Sequence, residues 1–183
     1  MLALWIVLGA AGLVLLWAIV TFNRLVALRN RIEGAWSQID VQLRRRHDLI
    51  PNLIETVKGY ASHERSLFEE IARARSAGIE ASSVADQAQA ENTLTAGLRR
   101  LLAVAEAYPD LKANQNFLGL QEELTGTEGR IAYARQFYND EVLAYNTKVQ
   151  QFPSSIVATL ARFGLREFFK TEDATRAPVQ VDI

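Results

Sequence analysis

The sequence predicts an all-α protein, an N-terminal transmembrane helix that continues into an elongated antiparallel helical bundle. Three observations carry this reading. Leu2 to Val20 is an unbroken run of apolar residues and glycine. Ala and Leu, both strong helix formers, together make up over a quarter of the chain. Apolar residues recur at alternating spacings of four and three over long stretches, and proline occurs only at 51, 109, 153 and 178.

The first element spans a membrane. The run from Leu2 to Val20 is about 28 Å long as a helix, enough for a hydrocarbon core of about 30 Å. Trp5 and Trp17 fall near its two ends, where amphipathic rings favour the interface. A cleaved signal peptide fits poorly, because no basic region precedes the run and helical patterning continues past it. Every charged side chain lies after Phe22. Arg24, Arg29 and Arg31 stand just beyond the run, so the positive-inside bias puts the soluble part in the cytoplasm and the short N-terminus outside.

The expected domains are an anchor over 1–22, a bundle over 23–170 and a frayed tail over 171–183. From Ile32 the four-three spacing runs through Trp36, Ile39, Leu43, Arg46, Ile50, Leu53, Val57, Tyr60, Glu64, Leu67, Ile71 and Ala74. This seam of about six heptads predicts one element reaching from the membrane to about residue 77, ended by Gly78. Pro51 either kinks that helix or opens a new one with Asp48 as its cap. Ser82 or Ser83 caps a second helix carrying Leu94, Leu98, Leu101 and Leu102, which Tyr108-Pro109-Asp110 terminates. A third repeats an apolar residue every seven, at Phe117, Leu124, Ile131, Tyr138, Tyr145 and Phe152. A short fourth is expected from Ile156 to about Ala161. Amphipathic helices of this kind cannot bury their stripes singly, and an antiparallel bundle is the economical solution.

Composition excludes several functions. The net charge of −1 argues against a nucleic-acid partner, since a phosphate-binding face shows as a basic excess. There is no Cys, which removes disulfides, thiolate metal sites and cysteine nucleophiles, and His47 and His63 are the only histidines. Neither histidine has Glu three positions before it, as di-iron bundles require, and His63-Glu64 lacks a second His at zinc-protease spacing. No catalytic residue, no metal and no cofactor is expected, and the chain reads as a non-enzyme.

Several blocks are similar to the LemA family signature. They are Asn23-Arg24-Leu25-Val26 with Arg29-Asn30, Ala35-Trp36-Ser37-Gln38-Ile39-Asp40-Val41-Gln42-Leu43, Arg44-Arg45-Arg46-His47-Asp48-Leu49-Ile50-Pro51-Asn52-Leu53, and Val57-Lys58-Gly59-Tyr60-Ala61 with His63-Glu64. The second half agrees at Ala134-Arg135-Gln136-Phe137-Tyr138-Asn139, Tyr145-Asn146 and Phe152-Pro153. The resemblance covers nearly the whole chain, with 78–110 nondescript, and departs at Phe22, where the family often has Tyr. It implies a small single-pass protein of the bacterial inner membrane with a short N-terminus outside, a cytoplasmic helical bundle and no catalytic residues to carry over; it leaves the function open, with membrane organisation as one expectation.

Candidate sites are interaction sites. Phe22, Leu25, Leu28 and Ile32 make an apolar stripe on a stretch expected to lie too near the membrane for the other helices to cover, with Trp36 at the junction. Together with the small residues Gly9, Ala10, Ala11 and Gly12 of the anchor, this stripe predicts a homo-oligomer. Arg46, Glu64, Glu128, Arg135, Asn139 and Asn146 are candidate polar contacts that fix register or meet a partner. The tract Arg44-Arg45-Arg46-His47 otherwise reads as a solvated face. Function is expected to be a self-associating scaffold in the bilayer, in contact with other membrane proteins, or alternatively an adaptor for one such as a protease.

Overall fold

The computed structural model describes residues 1–170; the expected tail at 171–183 lies outside them. The regular structure of the described residues is helix throughout, with no strand among them. The helices are α1 (Leu2–Lys58), α2 (Arg65–Glu80), α3 (Val84–Ala105), the single turn α4 (Pro109–Lys112), α5 (Gln115–Gln150) and α6 (Ser154–Leu160). They form two compact units, one of Met1–Gln38 with Gln136–Glu167 and one of Ile39–Arg135 with the chain from Phe168. α1 and α5 each contribute to both.

In α1, everything from Leu2 to Trp17 is exposed. Beyond it the buried side is Leu25, Ile32, Ala35, Ile39, Leu43, Arg46, Ile50, Leu53 and Val57, a helical stripe with one charged member. The helix passes through Pro51 without a break. Proline has no N–H for the His47 carbonyl one turn earlier. That carbonyl instead accepts a 2.7 Å hydrogen bond from Arg75 Nε of α2. A buried carbonyl left without a donor costs free energy comparable to a lost hydrogen bond, so Arg75 is what the proline in the helix interior requires.

The long element expected to reach residue 77 is two helices. α1 stops at Lys58 before Gly59, and the Tyr60 and Ala61 N–H groups both donate to Val57 O at 3.0 and 2.9 Å, closing a turn. The turn is six residues long, near two helical turns, so the four-three spacing resumes in α2 almost in phase and conceals the reversal. Gly78 does not end α2, which runs on to Glu80.

Other boundaries follow local chemistry. Ser83 caps α3, its Oγ accepting from the Asp86 N–H at 3.0 Å. Asn114 caps α5 in the same way, its Oδ1 accepting from the Asn116 and Phe117 N–H groups at 2.9 and 3.2 Å. Pro109 opens α4 rather than merely closing α3. α5 ends at Gln150, ahead of the cis Phe152-Pro153 bond, and α6 begins at Ser154, two residues earlier than expected.

The second unit has an apolar core drawn from α1, α2, α3, α4 and α5, centred on Ile50, Leu53, Val57, Ile71, Leu94, Leu101, Leu111 and Phe117. Each such side chain contributes roughly 1.5–3 kcal/mol on burial. α2 and α3 run antiparallel, with Glu70 taking both its hydrogen bonds from Arg100 at 3.0 and 2.9 Å. In the first unit α1 and α5 are antiparallel. Trp36 packs edge-on to Tyr138 at 5.5 Å, and Phe22 packs edge-on to Phe163 at 5.6 Å.

Candidate functional site

Two polar constructions stand out, one in each unit. In the second unit Arg46 lies fully buried and opposite Glu91, also fully buried, with Nη2 donating to Oε2 at 2.6 Å and to the Glu91 carbonyl at 3.0 Å. Arg46 Nη1 donates to Glu128 Oε1 at 2.6 Å and to Thr95 Oγ1 at 3.1 Å. The other Glu91 oxygen, Oε1, lies 2.8 Å from His47 Nε2 and accepts from Gln87 Nε2 at 2.8 Å. A Cβ at Gly78 would sit 2.8 Å from that oxygen and 3.2 Å from the imidazole, so the close approach of α2 requires glycine there.

Burial pushes the Glu91 carboxyl up, but the His47 hydrogen bond, the Arg46 and His47 charges and the Gln87 hydrogen bond together outweigh it and hold it below the usual carboxylate range. Arg135 stands near the same charges with its guanidinium 4.5 Å above the Phe169 ring. Burial, then the positive charge of Arg46, lowers it to about 10, against the pull of Glu91 and Glu128, so it stays charged at neutral pH. Both Glu91 carboxylate oxygens are engaged. Among the described residues no group of His or carboxylate side chains is placed to hold a metal. What it can do is fix which residues of α1, α3 and α5 face one another.

In the first unit, three side chains of α5 hold an extended segment after α6. Tyr138 Oη donates to Glu167 O at 3.0 Å and Tyr145 Oη to Gly164 O at 3.0 Å. Asn146 clamps both sides of one residue, donating to Arg166 O and accepting from Arg166 N, each at 2.9 Å. Burial raises both tyrosines above their ordinary value, which keeps their hydroxyls as donors.

The anticipated residues distribute as follows. Arg46, Glu128 and Arg135 come together, and Asn146 joins the tyrosine clasp. Asn139 is half-buried on α5. Glu64 does not meet the others; it lies in the turn ahead of α2, because the seam it was read from is broken there. The apolar stripe of 22–36 is not left uncovered. Leu25 and Ile32 are buried and Leu28 and Trp36 half-buried, while Phe22 keeps 43% exposure beside Phe163. The basic tract is only half solvated, since Arg44 and Arg45 are exposed but His47 is buried with Arg46. Sequence reasoning missed Glu91, Gln87 and His47. Stepping back from Leu94 by three and then four gives Glu91 and Gln87, the same polar interruption of a seam that singled out Arg46.

A family model described as the LemA family matches residues 35–183. The chain belongs to the LemA family. Its match includes all of the buried charge cluster and the tyrosine clasp, and begins beyond the exposed apolar run. This LemA-family chain is 24% identical over 184 residues to Magnetosome protein MamQ 2 of Paramagnetospirillum magneticum, covering 86% of this chain and 68% of that one. It is 23% identical over 184 residues to Magnetosome protein MamQ of Magnetospirillum gryphiswaldense, with the same coverage of 86% and 68%. Protein LemA of Metamycoplasma hominis is 25% identical over 140 residues, covering 74% of this chain and 63% of that protein.

Proposed function

We propose that this LemA-family chain is a membrane-anchored, non-enzymatic scaffold that holds a helical bundle at the cytoplasmic face of the inner membrane and self-associates there. The observation that carries the reading is α1. Its most apolar stretch has a mean hydropathy of 2.5 and none of it is buried. A contiguous apolar surface of that size is not left to water by a soluble monomer. The same helix then supplies the buried strip of the bundle, so anchor and bundle are one element. Likeness to proteins named for the magnetosome is in keeping with membrane association.

Arg24, Arg29 and Arg31 support the cytoplasmic orientation. Self-association draws on the exposed anchor with its small residues and on Phe22, because Leu25 and Ile32 are already occupied within the chain. The burial of Glu91 and its bonds to Arg46, His47 and Gln87 support a structural reading of the buried charges over a catalytic one. The test takes the full-length protein. It should resist alkaline extraction from membranes, carry a cytoplasmically active reporter after Ile183, and show a multiple of the chain mass in mild detergent. Release on extraction would end the anchor, a reporter active on the far side the orientation, and a monomer mass the self-association.

A further inference from the structure

The pairs Trp36–Tyr138 and Phe22–Phe163 set the first unit's level against the anchor. Tyr145, seven residues past Tyr138, feels the charge of Arg29, seven residues before Trp36. The same antiparallel register brings Gln150, the last residue of α5, level with Arg24, four residues from the end of the apolar run. At that level α6 turns Ser154 and Ala158 inward, where both are buried. Its exposed apolar residues are Ile156 and Leu160, spaced by four, at 50% and 81%, and Phe152 in the turn before it is 77% exposed.

The charges at this level are of one sign. Residues 21–32 and 142–165 contain Arg24, Arg29, Arg31, Lys148 and Arg162 and no Asp or Glu. Arg162 adds an independent observation. It ends α6 in the left-handed region at φ 56°, with its own N–H on Thr159 O at 3.2 Å and the next, Phe163, on Ala158 O at 2.9 Å. Glycine is the residue this helix ending favours, and an arginine there is held at a conformational cost.

We propose that α6 and the turn before it form a second membrane contact, inserting Phe152, Ile156 and Leu160 beside the anchor into a leaflet of anionic phospholipid. An apolar face in a stretch whose charges are all cationic is the chemistry of a helix lying in the headgroup boundary. Continuity with the anchor supplies the occupant, since the patch stands where the bilayer surface begins. The inference rests on the membrane reading of α1, and the test separates the two.

The absence of cysteine makes single-cysteine labelling clean. Full-length protein carrying Leu13→Cys, Ile156→Cys, Leu160→Cys or Ser37→Cys is given an environment-sensitive fluorophore. Each is reconstituted in phosphatidylcholine vesicles with or without phosphatidylglycerol, containing lipids quencher-labelled near the headgroup or deep in the acyl chain. Positions 156 and 160 should shift to the blue and be quenched by the shallow label, at a depth of about 5–10 Å, more strongly with phosphatidylglycerol. Position 13 should be quenched by the deep label in both lipids and position 37 by neither. Arg162→Gly should fold at least as well and lose part of the phosphatidylglycerol dependence at position 160. Quenching at 13 without quenching at 156 and 160 overturns the contact and leaves the anchor standing. No quenching at 13 overturns the anchor and the contact with it. Disulfide crosslinking between copies at position 160, with no lipid quenching, marks a protein surface and overturns the proposal.

Discussion

Two stretches of α1 are covered by different chemistry. From Ile39 to Val57 the cover is other helices, and the polar layer within it is ionic: Arg46, Glu91, Glu128 and His47, with the Arg46–Glu91 pair out of water. From Leu25 to Ala35 the unit that covers it includes residues 163–167, which have no helix of their own; one exposed ion pair, Arg166–Glu33 at 3.0 Å, lies at the surface, and the part-buried polar bonds run between neutral side chains and backbone. A helix satisfies its own backbone, so a neighbouring helix can be registered by side chains alone. An extended segment brings unpaired N–H and C=O groups, and something must meet each one. That is why the stretch from Leu25 to Ala35 is held by buried Tyr and Asn, where the stretch from Ile39 to Val57 is held by buried Arg and Glu.

The difference should show most at Glu91. Glu91→Leu strands Arg46 and His47 in the interior and should cost about 3–5 kcal/mol, read by denaturant unfolding in detergent. Adding Arg46→Met should recover part of the loss, because two apolar groups replace a pair; a double variant no better than the single one would count against the ionic lock. The wild-type lock should also fail in acid. The folded Glu91 value is depressed, so its contribution is present above the ordinary carboxylate range and disappears as pH falls through the folded value. Glu91→Gln should flatten that part of the stability profile.

The neutral clasp should respond in smaller, graded steps. Asn146→Ala removes both bonds to Arg166 and should cost about 2 kcal/mol, and Tyr145→Phe about 1 kcal/mol. Hydrogen exchange should rise over 163–167, with little change in the second unit; a global loss would erase the distinction. In alkali the sign is opposite to that of Glu91. The folded values of Tyr138 and Tyr145 are raised, so stability is intact below about pH 10 and falls as pH climbs through them.

The smallest effect tests the proline repair. Arg75→Met should cost about 1 kcal/mol in the native chain. In a Pro51→Ala background the restored N–H can bond His47 O, and the same substitution should cost measurably less. Equal costs in the two backgrounds would show that Arg75 is not compensating Pro51.

Much of the fold was legible because periodicity and caps are local. The seven-residue repeat from Phe117 to Tyr145 is α5, Ser83 is the α3 cap, and the continuous helix through Pro51 is one of the two readings the spacing allowed. The reversal at 59–64 was hidden because phase counts residues and cannot register direction. The site was half legible for a related reason. A charge inside an apolar seam announces itself, which exposed Arg46, Glu128 and Arg135. Its partner Glu91 sits at the polar end of a seam, where solvent is the default reading, and His47 lies one residue off the stripe. Only the packing of α3 and α2 against α1 buries them. The cover over 22–36 was hidden because nothing in the local pattern says that α5 and the segment after α6 come back along this part of α1.

A helix shared between lipid and protein is also a shaft. Leu25 is the first fully buried apolar residue of α1, and it lies within two turns of Val20 on the same unbroken backbone. Any twist or tilt of the anchor is therefore delivered to the first unit without a hinge to absorb it. One residue added between Val20 and Leu25 would turn the anchor by about 100° and move it by about 1.5 Å relative to Leu25. Bilayer thickness, which sets how far an anchor tilts, is in this architecture a mechanical input to the bundle.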